Sequence, residues 1–123
     1  MIHPGKKLVV IETLPPDEMR YQTDGDWAVD HDGVLRIQCV DNMPRAEAML
    51  LALHELVEAM LCEAAGVTQE AVDAFDFAFT GDGEPGDDPR APYRRQHRFA
   101  ALIDHMVAHE MGVVPYGRVD WET

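Results

Sequence analysis

Leu50-Leu51-Ala52-Leu53-His54-Glu55-Leu56-Val57-Glu58-Ala59-Met60-Leu61-Cys62 is the most apolar run of the chain, and three polar side chains sit at its centre. Leu50, Leu53, Val57 and Leu61 recur at helical spacing, with Leu51, Leu56 and Met60 filling the flanks. A helix apolar nearly all round is a buried one. Polar groups inside it are costly unless something satisfies them. The reading of the whole protein turns on what satisfies His54, Glu55 and Glu58.

Their spacing suggests a metal ion. His54 and Glu58 are four residues apart and stack on one helix face. Glu55 follows His54 and projects from an adjacent part of the surface, within reach of a water on the same metal. The H-E-x-x-H helix of zinc peptidases works this way: two residues at i and i+4 hold zinc and the Glu is the base. Here the fifth position is Glu, which makes the motif H-E-x-x-E. Carboxylate oxygen is an accepted zinc ligand.

The chain has 123 residues, enough for one domain with a modest core. At 46% hydrophobic and 27% charged it reads as soluble and globular. Its net charge of −13 argues against nucleic-acid or anionic-membrane binding. No apolar run is long enough to span a membrane, and residues 8–11 are too short a run for a signal peptide, so a cytoplasmic protein is expected. Cys39 and Cys62 fall in a strand pattern and a helix pattern. They read as two buried thiols, not a disulfide.

Three segments follow from pattern: mainly strands over residues 1–41, helices over 42–112 and a tail over 113–123. Lys7-Leu8-Val9-Val10-Ile11 reads as a first strand ending before Pro15-Pro16. Two apolar runs around His31-Asp32-Gly33 read as a hairpin. In its second strand Leu35, Ile37 and Cys39 alternate with Arg36 and Gln38, so one face is expected buried and one wet. An edge strand here can align an extended peptide. The fold class expected is α+β: a small N-terminal antiparallel sheet, then about three helices.

Asp41-Asn42-Met43-Pro44 signals the start of the central helix, with Gly66 as its C-cap. Thr68 caps the next helix, whose stripe is Ala71, Val72, Phe75 and Phe79. Residues 81–91 form a loop with four acids between Asp82 and Asp88, read as solvated, with a flap over a neighbouring site as the other option. Ala91-Pro92-Tyr93 opens the third helix, with Phe99, Ile103, Met106 and Val107 as its apolar face. His105 and His109 make a second i, i+4 pair, whose place near a helix C-terminus is also explained by the helix dipole.

A catalytic zinc takes three protein ligands and an open position. After His54 and Glu58, the candidates for the third are His97, Asp76 and Asp73, with His109 behind them. His97 comes first because imidazole is the better zinc ligand. At about 100° per residue it lies well off the Phe99/Ile103/Met106 face, so a groove edge is expected for it. Asp76, and less so Asp73, are alternatives, or carboxylates that orient a metal-bound histidine.

At these residues the chain resembles the zincin-type metallopeptidases in a minimal form. Leu53-His54-Glu55-Leu56-Val57-Glu58-Ala59, Val72-Asp73-Ala74-Phe75-Asp76, and Asp87-Asp88-Pro89-Arg90-Ala91-Pro92-Tyr93 through His97 are also similar to small phage and prophage proteins. The zincin resemblance implies His54 and Glu58 as ligands, Glu55 as the water-activating base, and a peptide or protein substrate. With a carboxylate in place of the second histidine, manganese or iron joins zinc as a candidate. So short a chain leaves little room for a substrate cleft, which brings in a partner chain, a homodimer included. The expected function is zinc-dependent hydrolysis of a peptide or amide bond. The alternative is an acidic binding or inhibitor protein of phage origin that engages a basic host partner, with a structural or vestigial metal site.

Overall fold

A computed structural model describes residues 5–113. Strands β1 (Val9–Leu14), β2 (Gly25–Val29) and β3 (Leu35–Val40) precede helices α1 (Arg45–Ala65), α2 (Gln69–Ala78) and α3 (Arg94–Met111). The class is α+β, as the patterning predicts. Of the expected tail, only Val113 is among the described residues. No helix among them is long and apolar enough to cross a membrane.

The hairpin forms where Asp32-Gly33 predicts it. Gly33 sits at φ +81°, in the left-handed region that favours glycine, and the Asp30 carboxylate accepts from the backbone N–H groups of Asp32 and Val34. β2 pairs antiparallel with β3. The expectation of an antiparallel sheet fails for β1, which pairs parallel with β3 in the strand order β1-β3-β2. The cause is the connection over residues 15–24. It is too long for a tight turn, so β1 and β2 lie a strand's width apart, and the hairpin folds β3 into that gap. β2 is left as an edge strand.

β3 alternates as read. Ile37 and Cys39 face the core, while Arg36 bonds Asp30 and Gln38 bonds Glu12 on the wet side. Both cysteines are free and buried, and burial pushes each thiol up to about 12.

α1 lies against β2 and β3 and begins directly after the Asp41-Asn42-Met43-Pro44 signal, at Arg45. Pro44 is its N-cap, extended at φ −57° and ψ 147°, with no side-chain cap. The proline lacks an N–H, so the cap position costs it no donor. Gly66 closes the helix at φ +73°, and Thr68 caps α2 by accepting from the Ala71 N–H at 3.1 Å.

α3 departs most from its pattern. Phe99 and Met106 are about half exposed, and the buried residues are His97, Ala100, Asp104 and Ala108. These recur at intervals of three and four and form one stripe. Ala100 and Ala108 are small enough to bring α3 close against α1. That contact turns His97 and Asp104 inward and leaves Phe99 and Met106 outside, with Ile103 and Val107 half-buried.

Candidate metal centre

α1 presents His54, Glu55 and Glu58 to the space between the sheet and α3, and all three are buried. α3 supplies His97 and Asp104 from the other side. Three atoms converge there. His54 Nε2 is 3.2 Å from Glu58 Oε2 and 3.2 Å from His97 Nδ1, and His97 Nδ1 is 3.0 Å from Glu58 Oε2.

The outer atoms of both rings decide what the inner atoms can be. His54 Nδ1 lies 2.8 Å from Asp104 Oδ2, and His97 Nε2 lies 3.1 Å from Asp87 Oδ1. A carboxylate oxygen accepts, so both of these ring nitrogens donate. In each neutral ring the inner nitrogen is then a bare lone pair. Two lone pairs and a carboxylate oxygen about 3 Å apart repel unless a positive charge lies among them. Either extra protons or a cation supplies it.

His54, Glu58 and His97 therefore form a buried group able to hold a metal ion. A tetrahedral ion with bonds of about 2.0–2.1 Å has ligand–ligand edges of about 3.3 Å, close to the observed spacings. Trp27 Nε1 donates to the other oxygen of Glu58 at 3.1 Å, which leaves Oε2 to face the histidines.

The same crowding appears in the proton affinities. Burial opposes charge on His54, but Asp104 and Glu58 outweigh it and lift the ring to about 11. His97 is raised too, burial being outweighed by Glu58. Glu58 is lowered to about 2, because hydrogen bonds from the two histidines overcome its burial. Glu55 moves the opposite way. Burial and the neighbouring Glu58 raise it well above the usual carboxylate range, and among the described residues nothing hydrogen-bonds its carboxyl group.

The remaining predicted residues lie around this group, not in it. Asp76 accepts from the hydroxyls of Tyr21 (3.1 Å) and Tyr93, and burial raises it to about 6. Asp73 takes both oxygens to Arg20, at 3.0 Å each, and Arg20 also grips Asp26. His105 Nδ1 points back to its own helix, at Ala101 O and Asp104, and His109 is exposed. The acidic loop takes the flap position: Asp87 and Glu84 approach His97 Nε2 at 3.1 and 3.5 Å.

Sequence reasoning missed Asp104, Asp87 and Trp27. Asp104 had a readable signal. It is seven residues after His97, two turns along the same face. Asp87 and Trp27 reach the site only through chain folding and had none.

These groups open on a cleft of about 690 Å³, bounded by residues 21–27 on one side and 83–87 on another. It is formed within one chain, although the length suggested little room for it.

The proton affinities fix a pH signature for the metal-free protein. Raised histidines contribute stability that is complete below the ordinary imidazole value of 6.5 and is lost as pH climbs through their raised values, about 11 for His54. Lowered Glu58 contributes stability that is complete above 4.5 and is lost toward about 2. Ionising Glu55 and Asp76 costs stability as pH rises through the acid range. Stability is thus expected to peak near about pH 5–6 and to decline toward about pH 9. A divalent cation held by His54, Glu58 and His97 would replace the protons. The rise in Tm on adding zinc should be larger at about pH 8.5 than at about pH 5.5. Equal rises in a thermal scan would show that metal and protons do not compete for His54 and His97.

No protein-family model, curated protein or solved structure matches the chain. Its chemistry is read from its own side chains.

Proposed function

We propose that this chain is a metal-dependent hydrolase of the zincin type that cleaves a peptide or amide bond. One observation carries the reading. The lone pairs of His54, His97 and Glu58 converge within 3.2 Å, and the buried Glu55 carboxyl, without a hydrogen-bond partner among the described residues, lines the same cleft. Two imidazoles and one carboxylate are a zinc set that leaves a coordination position open; manganese and iron are the other candidates.

A bound divalent cation supplies Lewis acidity toward a carbonyl and acidifies water. The protein residues do the rest. Asp104 and Asp87 fix the ring tautomers, and Trp27 holds Glu58 in place. Glu55, in its ionised form, takes a proton from water and returns it to the leaving nitrogen. β2 borders the cleft as an edge strand, where an extended peptide can align.

The test is metal content. Untagged protein purified without chelator should carry about one metal per chain by plasma mass spectrometry. His54→Ala should carry none, and a metal-free wild type that cannot be reloaded with zinc sinks the reading. The net charge of −13 favours a second reading, an acidic protein that binds a basic partner. Such a partner should be lost as salt rises.

A further inference from the structure

The cleft is far more acidic than a metal site needs. Glu55, Glu58 and Asp104 belong to the centre, and Asp26 is paired with Arg20. Asp24, Asp76, Glu84 and Asp87 line the remaining wall and mouth. Glu84 and Asp87 face His97 Nε2, Arg94 donates to the Asp87 backbone carbonyl, and among the described residues no side-chain ion pair with lysine or arginine holds Asp24 or Asp76. No lysine or arginine lines the cleft among the described residues.

Carboxylates gathered in a partly enclosed cleft focus their field instead of dispersing it into solvent. One divalent cation offsets only part of that charge. Two further features point to a cationic occupant. Glu55 is more than nine-tenths buried, lacks a hydrogen-bond partner among the described residues and faces the cleft. Asp76 sits between the hydroxyls of Tyr21 and Tyr93, which use two of the roughly four acceptor positions of a carboxylate. The rest can receive an ammonium or guanidinium.

We infer that the cleft takes a peptide segment bearing lysine or arginine, with Asp76 as the seat of the cationic side chain and Asp24 and Glu84 drawing the segment in. This deepens the hydrolase reading by naming its substrate class and rests on the same cleft. Anionic segments are repelled, and so is the new carboxylate that hydrolysis creates, which favours release of that product.

Binding and cleavage are measured separately. Zinc-loaded Glu55→Gln is titrated with fluorescent peptides of one length, bearing either lysine and arginine or glutamine and methionine at the same positions. The basic peptide should bind at least about tenfold tighter at low salt, as expected for a charged hydrogen bond in a cleft. Adding Asp76→Asn with Asp24→Lys should abolish most of that preference while zinc content stays unchanged. Glu63→Lys, on an exposed residue outside the cleft, should leave the preference intact. Equal binding of the two peptides, no binding of either, or a preference that survives the cleft substitutions overturns the inference. Wild-type protein that cleaves both peptides equally also overturns it and leaves the hydrolase reading standing. Tight basic-peptide binding with no cleavage by wild type supports the inference and removes the hydrolase reading.

Discussion

Glu55→Gln should keep its metal and lose about 10²- to 10⁴-fold in turnover, the usual contribution of a positioned general base. The amide has the shape of the carboxyl group and cannot accept the proton. The variant should fold at least as well as wild type. Glu55 is raised by burial and by Glu58, so its ionised form costs stability at every pH above its unfolded value of 4.5. A neutral amide removes that cost, and Tm near neutral pH should hold or rise. β2 packs closely here: a Cβ on Gly25 would stand 2.9 Å from Glu55 Oε1, so the carboxyl has little freedom to turn away. Full turnover in the variant would remove Glu55 as the base. Loss of metal would make it a ligand.

Gly86→Ala should weaken zinc binding by about 10- to 100-fold, the usual cost of disturbing the groups that orient a ligand. The short turn Pro85–Asp87 lies close against the His97 ring. A Cβ on Gly86 would come within 2.4 Å of the ring's Cγ and 2.5 Å of Nδ1, the atom that faces Glu58 and His54. Real contacts are never so short, so the ring or the turn must move. If the ring moves, Nδ1 leaves the converging group. If the turn moves, Asp87 leaves Nε2 and the tautomer is no longer fixed. Both outcomes weaken binding. Competition with a fluorescent zinc chelator measures the loss. Gly5→Ala, where a Cβ meets nothing within 4 Å, serves as the control. Unchanged affinity would take His97 out of the metal set.

These two predictions differ in how far the sequence alone could support them. Glu55 belongs to a motif that is local: neighbours on one helix fix its relation to His54 and Glu58. Gly86 shows no sign of its role in the sequence, where it is one of several glycines in an acidic loop. The same loop has the composition of a solvated segment and is mostly exposed, but composition carries no information about what lies beneath it.

The sequence by itself determined the class of fold, the hairpin turn at Asp32-Gly33, the caps at Gly66 and Thr68, the two buried thiols, and the stacking of His54 on Glu58. Each of these depends on backbone geometry or on spacing within one element. Tertiary structure alone decided the rest. β3 entered the sheet beside β1 in parallel because a wide connection left a gap. α3 left Phe99 and Met106 outside because Ala100 and Ala108 allow close approach to α1, and that rotation carried His97 and Asp104 inward. Asp104, Asp87 and Trp27 then fixed the ring protons and the Glu58 carboxylate. Contacts between residues 10, 31, 39 or 50 positions apart hold the site together, and no periodicity within a single helix can register them.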